Sequence, residues 1–312
     1  MQRILVLGGT GFVGRHVCEK AAGMGCRLTV PTRHPDTGKS VLTLPWVDLV
    51  VTDVHDESAL TQLVRGHDAV INLVAILHGN EDAFDHVHVA LAQKLVRACQ
   101  AAGVRRVVHV SALGASVDGP SMYQRSKARG EATLAAGGLD LSILRPSVIF
   151  GAGDQFLNLF AKLQSVFPVM PLAGAGTRFQ PVWVEDVAQA VAKLLSGAHA
   201  PPVIEAVGPD VFTLRQLVQL AGRASGHMRP VLALPMALGR VQARLMELAP
   251  GAPLMSRDNL DSMKVDNIAT PGMPDLSCLG IQASALAAIA PSYLQPDGGD
   301  PMLHRRRSAG RF

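Results

Sequence analysis

Ile4-Leu5-Val6-Leu7-Gly8-Gly9-Thr10-Gly11-Phe12-Val13-Gly14 decides the fold. An apolar run ends on a glycine turn with the spacing G-x-x-G-x-x-G, at Gly8, Gly11 and Gly14, and a helical pattern continues from Gly14 to Met24. The strand must turn sharply, the backbone must approach a pyrophosphate closely, and the helix must pack on the strand with no side chain between. Each demand selects glycine. The helix N-terminus then presents unpaired N–H groups to an anion. A glycine triplet alone is a weak signal. At the end of an N-terminal buried strand, opening an apolar helix, it predicts a dinucleotide-binding turn with Gly8, Thr10, Gly11, Phe12, Val13 and Gly14 against the cofactor.

Outward from this turn, short β-branched runs alternate with helical stretches. Strands are predicted at Ile4–Leu7, Leu28–Val30, Leu49–Val51, Ala69–Leu73, Arg106–Val110 and Leu141–Leu144, and helices at Glu57–Val64, Phe84–Ala102 and Met122–Ala136. Continuous apolar strands suit a parallel sheet covered on both faces. The alternation therefore predicts an α/β fold: a Rossmann-type doubly wound parallel sheet with a smaller C-terminal α/β lobe. Gly and Pro become denser after Gly151. The expected division is residues 1–150 as the NAD(P)-binding domain and 151–295 as a substrate or partner lobe partly interleaved with the sheet. The basic tail 296–312 is expected to be disordered. Within the lobe, helices are predicted at Val184–Leu195, Leu214–Ala224 and Pro235–Ala249, the last with Gly239 as a weak point, and a strand at Val203–Ala206.

The second strand reports on the cofactor. NAD sites tend to carry an acid at its end for the ribose 2′-hydroxyl. Here Leu28-Thr-Val-Pro-Thr runs into Arg33, and no carboxylate follows before Asp36. A guanidinium can pair bidentately with a 2′-phosphate, so NADP is the expected cofactor and NAD the alternative. A solvated loop arginine would look the same.

The net charge of +4 comes largely from Arg305, Arg306, Arg307 and Arg311, which argues against a nucleic-acid role. Cys18, Cys26, Cys99 and Cys278 form no C-x-x-C pair and read as free thiols. Met1-Gln2-Arg3 leads straight into the first strand without a cationic leader, and no run of about 18 uncharged apolar residues occurs. The expected location is cytoplasmic, with peripheral contact on the inner face of the membrane as a further option.

Gly8–Gly14, Val51-Thr-Asp53, Asn72-Leu-Val-Ala75, Val108-His-Val-Ser111, Tyr123-Gln-Arg-Ser-Lys127, Leu144-Arg-Pro146 and Pro181-Val-Trp-Val-Glu-Asp186 together resemble the short-chain dehydrogenase/reductase superfamily, in its extended and atypical branches. His109-Val-Ser-Ala-Leu-Gly-Ala, Gly130-Glu131 and Leu279-Gly-Ile281 bring the chain closest to the family of the nucleotide-binding accessory subunit of respiratory complex I and its bacterial relatives. The resemblance implies cofactor contacts at Gly8, Gly11, Gly14, Arg33, Asp53, Val54 and Ala75, with Asp53 toward the adenine. A strand-end cap is the plainer role for Asp53. It also implies Tyr123, Lys127 and Ser111 as a catalytic set. Tyr123 and Lys127, four apart, share a helix face, and an ammonium beside the phenol would lower its pKa. Ser111 would orient a substrate oxygen, and Lys127 would hold the nicotinamide ribose.

Two departures weigh against turnover. Extended members carry Asn-Val-x-Gly-Thr where this chain has His88-Val-Ala-Leu-Ala, and the serine region lacks a second serine. Two functions therefore stand. One is an NAD(P)-binding protein with a structural or assembly role in respiratory or quinone-related machinery and a respiratory-chain protein partner. The other is an oxidoreductase or epimerase acting on a hydroxyl or keto group of an apolar small molecule. No metal site is expected at His78, His86 and His88, because His86 and His88 would face different sides of a helix. The stretch Val231–Leu248, with Arg240 and Arg244, reads first as core or lobe packing, with a membrane or partner surface as the alternative.

Overall fold

The computed structural model describes residues 1–197, 200–248, 251 and 253–295. The basic tail predicted at 296–312 lies outside them. The chain begins β1 (Arg3–Leu7), α1 (Phe12–Gly23), β2 (Arg27–Thr32), β3 (Val47–Val51), α2 (Glu57–Val64), β4 (Ala69–Asn72) and α3 (Glu81–Phe84). A π-helical segment (Asp85–Ala90) then leads into α4 (Leu91–Ala102), β5 (Arg106–Val110), α5 (Met122–Ala135) and β6 (Asp140–Pro146). Next come β7 (Ile149–Phe150), α6 (Leu157–Val166), β8 (Met170–Ala173), β9 (Arg178–Phe179), β10 (Val182–Trp183), α7 (Val184–Leu195) and β11 (Val203–Ala206). The path closes with β12 (Phe212–Thr213), α8 (Leu214–Ala224), β13 (Val231–Leu234), α9 (Met236–Glu247), α10 (Arg257–Ser262), α11 (Leu286–Ile289) and α12 (Pro291–Leu294).

These elements form two compact units. The first comprises Met1–Pro146, Val184–Ala206 and Ala269–Gln282, so it takes in two segments that a linear division at residue 150 assigns to the second lobe. Its seven-stranded sheet has the order β11-β6-β5-β4-β1-β2-β3, with every pairing parallel. All C-terminal strand ends thus share one edge, and the strand order reverses beside β1, between β2 on one side and β4 on the other. Doubly wound sheets bind ligands at this switch point. Ile4 to Leu7 are wholly buried. Leu5 and Leu7 pack with Leu60, Val64, Leu91, Leu95 and Leu134 from α2, α4 and α5. Ile4 and Val6 point to the opposite face by strand alternation.

Among the described residues, the second unit comprises Ser147–Trp183, Val207–Ile268 and residues 283–295. Helices α6 and α8 pack closely: Gln164 Nε2 donates to Val218 O at 2.8 Å, and a Cβ on Gly222 would stand 2.3 Å from Gln164 Oε1. Strands β8 and β13 pair in parallel and carry α9. Gly239, expected to weaken the helix, is a contact point instead. It is buried within α9, where a Cβ would stand 2.3 Å from Ala173 Cβ.

Candidate functional site

The residues proposed from the sequence all lie in the first unit, along the C-terminal edge of its sheet. Gly8–Gly14 form the β1–α1 turn, Arg33 follows β2, and Asp53 and Val54 follow β3. Ala75 follows β4, Ser111 follows β5, and Tyr123 and Lys127 stand on α5. A parallel sheet collects residues more than a hundred positions apart simply by aligning its strand ends.

The glycine turn is closed to anything larger. Gly8 has φ +79°, and a Cβ there would lie 3.1 Å from the carbonyl carbon of Leu73. A Cβ on Gly14 would stand 2.2 Å from Gly8 O and 2.6 Å from Gly9 Cα. Helix α1 follows Gly11 as its N-cap, with no side-chain cap and no acidic residue in its first turn. By contrast, α5 begins with a complete capping box, Ser121 with Gln124. The N–H groups of α1 are thus left for an external anion.

Arg33 is exposed directly beyond β2 and makes no ion pair among the described residues. The next carboxylate, Asp36, is already paired with Lys39 at 3.2 Å. Asp53 does act as a strand-end cap, its Oδ1 accepting from His55 N–H at 3.0 Å. Beside it His55 stacks on His86, with ring centroids 4.3 Å apart. Burial, His86, Lys94 and Arg33 together lower the His55 pKa, with Asp53 opposing. This basic corner was not expected: the stacking joins a loop and a helix 31 positions apart, and no local pattern announces it.

At the other end, Lys127 is buried and its Nζ donates to Val110 O at 3.0 Å, the residue before Ser111. Burial lowers its pKa to about 8, with Glu131 opposing. Burial also pushes the Tyr123 phenol up to about 12. This corrects the expectation of a phenol lowered by its lysine: desolvation of the phenolate wins. Ser111 Oγ is buried and has no hydrogen-bond partner among the described residues, an orphan that a bound molecule would satisfy.

His88, which stands where the resemblance expects asparagine, is also part of this site. Ile76 N–H donates to its Nε2 at 3.3 Å. Its Nδ1–H therefore donates to Ser126 Oγ at 2.8 Å, and Ser126 Oγ–H donates to Tyr123 O at 2.9 Å. Only a neutral imidazole completes this chain, which ties the loop after β4 to the helix bearing Tyr123. Burial and the nearby Lys127 lower its pKa to about 3, matching that tautomer. The π-helical turn delivers His88, and Gly130 lets α5 approach, since a Cβ there would sit 2.4 Å from His88 O.

A pH dependence follows. The unfolded chain binds a proton on His88 below about pH 6.5, while the native site resists it down to about 3. His109, also lowered by burial and by Lys127, acts in the same direction. Stability is therefore full above about 6.5 and falls as pH drops, by up to about 1.4 kcal/mol per pH unit for each histidine. Urea unfolding at pH 7 and pH 5 checks this. His88→Asn should flatten the slope, and an unchanged slope would contradict the assignment.

The one ligand-like cluster among the described residues is His16, Glu19 and Glu185. There Glu185 is paired with His16 at 2.5 Å and Lys20 at 2.7 Å, so its charge is already met.

This edge, with its glycine turn and helix N-terminus, is that of a dinucleotide-binding protein. Residues 8–167 match the model of an NAD(P)H-binding family, and the chain belongs to that family. It is 30% identical over 296 residues to NADH dehydrogenase [ubiquinone] 1 alpha subcomplex subunit 9 of Rattus norvegicus, spanning 90% of this chain and 76% of that one. It is also 29% identical to a ceramide reductase of Caulobacter vibrioides, over 74% of this chain and 73% of that one. An NADPH-dependent quinone oxidoreductase of Escherichia coli, solved with NADPH, shares the fold at TM-score 0.72 and 20% identity, covering 92% of this chain and 98% of that one.

Proposed function

We propose that the chain binds NADP(H) in preference to NAD(H) and keeps it as a fixed part of the fold, in a structural or assembly role within respiratory or quinone-related machinery. Arg33 carries the cofactor choice: an exposed guanidinium with no carboxylate partner among the described residues, where a 2′-hydroxyl site would hold an acid. The structural role is supported by the relatedness to a complex I subunit over nearly the whole chain. Gly8, Gly11 and Gly14 would hold the pyrophosphate, and Asp53 and Val54 would flank the adenine. Ala75, Tyr123 and Lys127 would line the nicotinamide half. A ligand that binds only the native state at about 100 times its Kd adds about 2.7 kcal/mol of stability.

The buried, unpartnered Ser111 Oγ favours a second reading, an NADP(H)-dependent reductase of an apolar keto compound. The bound nicotinamide would supply hydride. Ser111 would position the carbonyl oxygen, and the protonated Tyr123 would deliver its proton, a direction that suits reduction better than alcohol oxidation. NADPH-loaded protein incubated with long-chain keto substrates separates the two. The structural reading expects the nicotinamide absorbance to stay constant. Steady oxidation that falls about 100-fold or more in Tyr123→Phe would replace it with the reductase.

A further inference from the structure

Helix α9 has two apolar faces, and only one of them is used within the fold. Gly239 and Ala243 are buried against Ala173 and Leu260. At 100° per residue, Leu238, Val241, Leu245 and Leu248 fall together on the opposite arc, and they are 56, 58, 65 and 77% exposed. Arg240 and Arg244 border this arc on one side. Arg240 reaches Asp261 at 2.7 Å, whereas Arg244 makes no ion pair among the described residues. Leu234 and Ala173 pair in register and pack under α9; one pleat earlier, Leu232 and Pro171 pair on the same face and are exposed.

Charge is distributed to match. Residues 147–183, 207–268 and 283–295 hold nine Lys and Arg against six Asp and Glu, while the sheet-bearing unit holds sixteen against seventeen. The positive surplus thus belongs to the unit with the bare apolar stripe, and the chain beyond residue 295 adds Arg305, Arg306, Arg307 and Arg311 against Asp297 and Asp300. An aliphatic arc beside arginines, on a helix too short to span a bilayer, is the pattern of an interfacial helix.

We propose that this face, centred on Leu238, Val241, Leu245 and Leu248 with Arg244 at its border, docks the protein on an anionic lipid surface. The aliphatic side chains would enter the headgroup boundary while the arginine meets lipid phosphate. The proposal does not depend on whether the cofactor turns over.

Flotation of the full chain tests it, with vesicles of phosphatidylcholine alone and of phosphatidylcholine mixed with phosphatidylglycerol. The bound fraction should be at least about tenfold higher on the anionic vesicles and should fall with added salt. Leu238→Ser with Leu245→Ser should lower binding about tenfold, and Arg244→Glu should remove most of the preference for anionic lipid. Both variants should keep wild-type thermal unfolding and NADPH affinity, because these side chains are exposed and remote in sequence from the glycine turn. Equal binding to both vesicle types, or a double variant that binds like wild type, would overturn the proposal. So would a wild-type dimer in solution that the double variant dissolves, which would assign the face to a second copy of the chain.

Discussion

Gly14→Ala should weaken NADPH binding by about 100-fold or more, equivalent to roughly 2.7 kcal/mol. The new Cβ would stand 2.2 Å from Gly8 O, 2.6 Å from Gly9 Cα and 2.7 Å from Gly9 C. These are backbone atoms, which cannot rotate aside as the end of a side chain would, so the turn itself must open. Opening it moves the N–H groups at the start of α1 away from where the pyrophosphate would be held, and overpacking costs about 1–3 kcal/mol of stability as well. Gly11→Ala is the internal control. Gly11 has φ −75°, and its added Cβ would meet only Gly8 O, at 3.3 Å. Its loss should be about tenfold smaller. Calorimetric titration with NADPH alongside thermal unfolding reads both quantities. Gly14→Ala binding with wild-type affinity would show that the cofactor does not sit on this turn.

Arg33→Ala should weaken NADPH binding by roughly 10- to 100-fold while leaving NADH within about twofold, since a hydrogen bond to a charged group contributes about 1.5–3 kcal/mol. Removing Arg33 leaves Lys94, whose Nζ donates to His55 O at 2.6 Å, as the remaining cation beside His55, while His55 itself, its pKa lowered, is neutral at pH 7. Some preference for the phosphorylated cofactor should therefore persist. The effect should shrink as salt is raised, because Arg33 is exposed. Parallel losses for both cofactors would mean that Arg33 supports the loop and does not read the 2′ position.

The sheet was legible because its signal is local. Each of the six strands from Ile4–Leu7 to Leu141–Leu144 is a short apolar run closed by a turn, and the glycine turn states its own geometry. Two-residue strands such as Ile149–Phe150 and Val182–Trp183 are too short for any periodicity to register. The run Phe84–Ala102 reads as one helix because its apolar pattern is unbroken, yet residues 85–90 take a π-helical turn that aims His88 at Ser126. That hydrogen-bond chain joins Ile76, His88, Ser126 and Tyr123, and only the packing of α5 at Gly130 reveals it. Gly239 reads as a helix breaker from propensity alone, but packing against Ala173 decides its role. Tyr123 and Lys127 show the same limit: spacing places them on one helix face, but burial shifts their pKa values.

The claim that joins the turn, Arg33 and the buried polar edge is that this chain binds NADP(H) selectively. Titration of the wild-type protein, stripped of nucleotide, with NADPH and NADH under the same salt and pH tests it most directly. The account predicts one site per chain, with NADPH bound at least about tenfold more tightly, a difference of about 1.4 kcal/mol. Equal affinities, or tighter binding of NADH, would contradict it.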